Sequence, residues 1–154
     1  MLFAAYLLIL LWLVLFKFSY DPAGVIRDVQ IRNLNLLPFS QTRTSEMIAN
    51  IIAFVPFGVM LGATFKQTNF RRKMAAIFSF SLGVELLQYI LAIGVTDVTD
   101  LIMNTLGGTV GLLIYALGSR YANTKYLDAS ILFLGSLALL IIVYLRVFVF
   151  IVRY

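Results

Sequence analysis

The sequence predicts an all-α membrane protein, a compact bundle of about five transmembrane helices. Three observations carry this. The 154 residues are 62% hydrophobic, against about 45–50% in a soluble domain, and the mean hydropathy is +0.97. The apolar residues gather in five runs, at about 2–16, 47–65, 74–94, 101–118 and 130–152. Each run is continuously apolar, whereas a membrane-spanning strand alternates inward and outward residues. Helices satisfy their own backbone within the bilayer. Mostly short loops join the runs, so the expectation is one multi-pass domain over 1–154.

A spanning helix needs about 20 apolar residues, with a range of about 17–25. The third and fifth runs satisfy this easily; the first, second and fourth lie near the lower limit. The first run, beginning MLFAAYLLILL, lacks the basic n-region and the small-residue cleavage site of a signal peptide. It reads as a retained helix. The segment after it contains Leu36-Leu37-Pro38-Phe39, too apolar for an ordinary solvated loop. It reads as a surface-lying segment or a lid, with a plain amphipathic connector as the alternative.

In the second run, Asn50, Phe54 and Gly58 are four apart, and Gly58-x-x-x-Gly62 offers a stripe for close helix approach. Pro56 removes a backbone donor and should bend the helix, leaving the Ile52 carbonyl available. The loop FKQTNFRRK holds Lys66, Arg71, Arg72 and Lys73 without an acid. It reads as an orientation signal, which puts it inside and the N-terminus in the cytoplasm. The expected loop 119–129, with Arg120 and Lys125, then also lies inside. Segments 17–46 and 95–100 lie outside. The raw count of bases is six on each side, because Lys17, Arg27, Arg32, Arg43, Arg146 and Arg153 fall outside. The density of the 66–73 cluster decides.

Of seven acidic residues, Glu85 alone lies deep within an apolar run. A charge at membrane depth costs about 2.5–3.5 kcal/mol on insertion scales. Glu85 therefore reads as a proton carrier, a general acid or base, or an acceptor for a polar ligand. The structural alternative is a buried carboxyl bonded to Gln88, three residues on. Asp97, Asp100 and Asn104 share one face if the fourth helix begins early. Gly107 and Gly111 continue it and permit close packing. The two aspartates suit either a cation or basic ligand, or a helix N-terminus capped at Thr96, Asp97 or Thr99. Asn50 and Asn104 suit a polar pocket or hydrogen bonding between helices. In either orientation the first and third loops share a membrane face. There Asn50, Glu85, Gln88, Asp97, Asp100, Asn104 and the long first loop should converge.

The sequence has no cysteine and no histidine. This removes disulfides, thiolate or imidazole zinc sites, cysteine nucleophiles and Ser-His-Asp triads. Any metal would use oxygen ligands, with Asp97 and Asp100 as the candidates. No cofactor is expected. The net charge of +5 suits an anionic lipid surface, and no basic-aromatic platform points to nucleic acid.

NLNLLPF, NIIAFVPFG, GVELLQ and DVTDLIMNTLGGTVG, in this order and spacing, resemble the VanZ-like family over roughly residues 33–115, which sets the core at about 33–118. The family's acidic stretch often reads Asp-x-Asp-Asp. Here it is Asp97-Val98-Thr99-Asp100, and an arginine often found just upstream is replaced by Gly94-Val95-Thr96. The resemblance implies a multi-pass bacterial cell-membrane protein, in a family whose named member is associated with low-level resistance to teicoplanin, a lipoglycopeptide. By the family pattern, the residues carried over are Asn35, Pro38, Phe39, Asn50, Phe54, Pro56, Phe57, Gly58, Glu85, Gln88, Asp97, Asp100, Asn104, Gly107 and Gly111. The fifth run lies outside the resemblance.

The leading expectation is a non-enzymatic protein acting at the outer face on a lipidated or lipid-linked amphiphile. Its partners would be membrane lipids and a lipid-linked wall precursor or lipoglycopeptide, with a homo-oligomer left open. The alternative is a membrane-embedded enzyme on a lipid-linked substrate, with Glu85 as acid or base and Asp97 and Asp100 holding a divalent cation. An ion-coupled transporter and a purely structural subunit complete the set.

Overall fold

The computed structural model describes residues 2–16, 33–40, 42–93 and 95–153. Five helices carry it: α1 (Leu2–Leu15), α2 (Thr44–Thr64), α3 (Phe70–Leu91), α4 (Val98–Tyr121) and α5 (Thr124–Arg153). Two three-residue strands, β1 (Asn33–Asn35) and β2 (Val95–Asp97), flank the loops at one end. They pair in parallel, with Asn33 opposite Val95 and Asn35 opposite Asp97.

Three helices, α2, α3 and α4, are each long and apolar enough to cross a bilayer. Helix α2 starts three residues before the second run, at Thr44, and α4 extends three residues beyond each end of the fourth, because mostly polar residues there continue the helix. At 14 residues, α1 rises only about 21 Å, short of a hydrocarbon core of about 30 Å. The expected loop at 119–129 is corrected. Helix α4 runs to Tyr121 and α5 starts at Thr124, with Asn123 accepting from the Lys125 backbone N–H at 3.0 Å. Asn123 is a good helix-capping residue, which lets the turn be this tight.

Helices α2 and α4 form the most extensive pair, for a steric reason. A Cβ at Gly58 would lie 1.9 Å from the Gly108 carbonyl oxygen, and one at Gly111 would lie 2.0 Å from that of Val55. At Gly107 the obstacle is the Ile51 carbonyl oxygen, at 2.4 Å. Only glycine permits backbones this close. Gly62 sits instead against the Tyr115 ring, at 2.7 Å.

Around this pair, Tyr6, Leu10 and Val14 of α1 meet Phe54, Phe57, Met60 and Leu61 of α2 and Ile77 and Val84 of α3. Phe57 packs on Phe3, Phe54 and Phe80. The Tyr6 hydroxyl donates to the Ala53 carbonyl. That carbonyl adjoins Ile52, whose own partner in the helix Pro56 removes. Helix α2 continues unbroken through Pro56.

Helix α3 is inverted relative to a soluble helix. Its buried side includes Ser81, Glu85 and Gln88, while Phe78, Leu82, Leu86 and Ile90 are exposed. Helix α5 likewise exposes Leu132, Phe133, Leu137 and Leu140. Apolar surface of this extent is solvated by lipid or covered by a partner.

Candidate functional site

The site is a polar seam at the end of the bundle where β1 and β2 pair. Three helices contribute. Ser81, Glu85 and Gln88 recur at four and three residues along α3, so they form one stripe. Asp100 and Asn104 come from α4, and Asn50 from α2. All six side chains are buried. From Leu91 at the end of α3, ten residues lead down to Ser81, about 15 Å along the axis. That is about half of a hydrocarbon core.

At the outer end of the seam the strand pair sets the geometry. Asp97 closes β2 and caps α4, its Oδ1 accepting from the Thr99 backbone N–H at 2.8 Å. Its Oδ2 accepts from Asn35 Nδ2 at 3.1 Å and from the Thr42 hydroxyl. Burial alone would raise the Asp97 carboxyl, but the donors from Thr42, Thr99 and Asn35 outweigh it and hold the group below the ordinary carboxylate range.

Asn35 acts in both directions. While its amide donates to Asp97, its Oδ1 accepts from the Leu37 backbone N–H and the Ser40 hydroxyl, both at 3.2 Å. Thr99, where the family pattern often has an aspartate, accepts from the Phe39 backbone N–H at 2.9 Å. The 35–40 loop is thus pinned at both ends to the start of α4.

Deeper in the seam, Glu85 Oε2 accepts from the Asp97 backbone N–H at 3.1 Å. Thr96 Oγ1 donates to the Glu85 carbonyl at 3.4 Å. Asn50 Nδ2 donates to Asp100 Oδ1 at 2.8 Å, which ties α2 to α4. Asn104 Nδ2 donates to Ser81 Oγ at 3.1 Å, which ties α4 to α3. Gln88, the expected neighbour of Glu85, donates instead to the Val14 and Leu15 carbonyls at 3.0 and 3.3 Å, and so satisfies the C-terminal end of α1. The side-chain carbonyls of Gln88 and Asn104 are buried with no hydrogen-bond partner among the described residues. Such acceptors are costly to leave unmet and suit a ligand or water that donates. Below Asn104 the seam is closed by Ile77, which is fully buried and lies against Gly108.

Over the seam's mouth lie Leu34, Leu36, Leu37, Pro38 and Phe39, all exposed. Phe39 adopts a positive φ of 63°, a conformation that costs an L-residue about 1–2 kcal/mol. The Thr99 bond to its backbone N–H holds it there.

The expected residues therefore separate into groups. Asn35, Asn50, Glu85, Gln88, Asp97, Asp100 and Asn104 come together as buried polar groups. Pro38 and Phe39 lie in the overlying loop. Phe54 is fully buried but sits in the aromatic core, between Phe57 and Phe80. The sequence reading missed Ser81, Thr42 and Ser40. Ser81 had a usable signal, four residues before Glu85 on the same face; Thr42 and Ser40 had none. Among the described residues no group of three or more acidic side chains could hold a metal ion. Asp97 already accepts three hydrogen bonds of the roughly four that a carboxylate can take, which leaves little capacity for a cation. The bases Arg27, Arg32, Arg146 and Arg153 lie outside the residues whose side chains are described.

Comparison with known proteins extends the resemblance. The VanZ/LLP1 family profile matches residues 3–119, so it includes α1 as well as the 33–115 stretch. The chain is 46% identical to Protein VanZ of Enterococcus faecium over 146 residues, 94% of this chain and 90% of that protein. It is also 33% identical over 110 residues to UDP-xylose transporter 3 of Arabidopsis thaliana, but that match covers only 28% of the transporter. No solved structure matches the chain. The profile spans four of the five helices and the whole polar seam: this is a membrane protein of the VanZ/LLP1 family.

Proposed function

We propose that the chain is a multi-pass protein of the bacterial cell membrane whose Glu85-centred seam opens at the outer face. There it engages the polar part of a lipidated or lipid-linked amphiphile, and by doing so gives low-level resistance to teicoplanin. The observation that carries this reading is the pairing of two features at one end of the bundle. One is a buried, hydrogen-bonded polar seam containing Glu85, Asp100 and two unmet amide carbonyls. The other is an exposed apolar loop pinned directly over it. A ligand with both a polar head and an acyl chain matches both.

Orientation follows from charge. Residues 65–73 and 119–129, at the opposite end, hold six bases and one acid, which supports a cytoplasmic location for that end and for the N-terminus. The seam then faces outward, where lipid-linked wall precursors and lipoglycopeptides occur. The action is non-enzymatic. The bonds to Asp97 identify it as a structural cap, and that argues against its use as a cation ligand.

The test is expression in a glycopeptide-sensitive Gram-positive host, with susceptibility to teicoplanin and vancomycin measured side by side. The expected result is protection against teicoplanin and none against vancomycin. Protection against neither, at confirmed membrane levels, would leave the family fold without this function.

A further inference from the structure

The end of the bundle remote from the seam contains a cleft of about 370 Å³ between the close of α2, the start of α3, the close of α4 and the start of α5. Lys66, Lys73, Phe70, Tyr115, Ser119 and Thr124 line it. The two lysines differ in their surroundings. Lys66 is ion-paired with Asp128, and Asp128 also accepts from the Tyr115 hydroxyl at 3.0 Å. Its own hydrogen bond to Asp128 chiefly holds the Lys66 ammonium above the ordinary lysine range. Lys73 is half-buried, faces the same cleft, and has no carboxylate or hydrogen-bond partner for its ammonium among the described residues. Two helix starts and two helix ends meet here, so their dipoles largely offset. The positive potential comes from the side chains. Residues 65–73 and 119–129 also carry Arg71, Arg72, Arg120 and Lys125, and Asp128 is the single acid in these two segments.

We propose that this cleft binds the phosphate of an anionic phospholipid, with Lys73 as its direct ligand and the Lys66–Asp128–Tyr115 arrangement as its wall. An ammonium held partly out of water and without a counter-ion is a site for an anion of matching charge. The volume admits a glycerophosphate headgroup. Phe70 in the lining is exposed, and so are Leu113 and Leu117, next in sequence to the lining residues Leu112 and Ala116, which offers apolar surface along which acyl chains can lie. The inference is independent of the seam's function.

The experiment is native mass spectrometry of the purified full chain, released from nanodiscs containing equal phosphatidylglycerol and phosphatidylcholine. The wild type should retain phosphatidylglycerol preferentially. Lys73→Gln should lower that preference by about tenfold, the equivalent of one charge-assisted hydrogen bond. Arg71→Gln, in the same first turn of α3 but not among the residues lining the cleft, should keep it. Because Lys73 makes no side-chain bond, its variant should match the wild type in thermal stability. Equal loss in both variants would mean a diffuse basic surface and would overturn the proposal, as would equal retention of the two lipids by the wild type. Displacement of the bound lipid by soluble glycerol phosphate at comparable concentration would refute the lipid assignment in favour of a free phosphate ester.

Discussion

Replacing Gly58 by alanine should drive α2 and α4 apart, whereas the same change at Gly83 should not. At Gly58 the added Cβ would meet the Gly108 carbonyl oxygen at 1.9 Å, about 1.5 Å short of ordinary van der Waals contact. The obstacle is backbone, so no side chain can rotate away. Relief requires the most extensive helix pair to open. A radial gap of 0.5–1 Å already forfeits about a quarter to a half of each dispersion contact along the seam. Overpacking of this kind costs about 1–3 kcal/mol, and the backbone obstacle places Gly58 at the upper end. Alanine recovers only about 0.5–1 kcal/mol of helix propensity over glycine. At Gly83 nothing lies within 4 Å of the added atom, so only that gain applies. The two variants should therefore differ by about 2–3 kcal/mol, with Gly58→Ala the less stable. Thermal unfolding in detergent, followed by loss of the monodisperse chromatographic peak, measures this. Equal midpoints for the two variants would refute the close backbone approach of α2 to α4.

Three further outcomes follow from the site. Because the folded Asp97 carboxyl lies below its ordinary range, its stabilisation is complete above an unfolded value of about 3.9 and is lost as pH falls through the folded value. The stability gap between wild type and Asp97→Asn should therefore narrow on acidification below about pH 4, read from unfolding midpoints across a pH series. Asn50→Ala removes the amide that donates to Asp100 Oδ1 and should cost about 1–3 kcal/mol, whereas Ile48→Ala on the exposed side of α2 should cost far less; a denaturation series compares them. Phe39→Gly relieves the positive φ and should leave the protein as stable as wild type, or more stable by up to about 1 kcal/mol. It should still lower teicoplanin protection, because the exposed ring over the seam is lost; unfolding midpoint and susceptibility measured on the same variant separate the two effects.

The helical class and the sharing of one end by the first and third loops were legible because hydrophobic run length and connectivity dictate them. Glu85 and Gln88 fall on one face by spacing alone, and the glycine stripes 58/62 and 107/111 announce close packing. The cap of α4 was left open among Thr96, Asp97 and Thr99, and the structure selects Asp97. What stayed hidden is non-local or too short to have a pattern. Strands β1 and β2 are three residues each, and no periodicity develops over three residues; their pairing depends on segments 62 positions apart. The contact of Gln88 with the end of α1 is equally remote in sequence. The loop expected at 119–129 vanished because Arg120, Lys125 and Asp128 look like a solvated connector. In the folded chain Asp128 is committed to Lys66 and Tyr115, which lets polar residues continue the helix. Ser81 was legible too, four residues before Glu85 on the same face, but its partner Asn104 lies on another helix and no local pattern announces that pairing.

The most direct test of the central claim, that the buried seam carries the function, compares wild type, Glu85→Gln, Asp100→Asn and Gly83→Ala in one host at matched membrane levels. Teicoplanin susceptibility is the readout. The account predicts that both amide substitutions, which keep shape and replace an ionisable carboxyl by an amide, abolish protection, while Gly83→Ala, outside the seam, retains it. Undiminished protection by Glu85→Gln and Asp100→Asn would contradict it, and would reduce the seam to an arrangement that fixes helix packing.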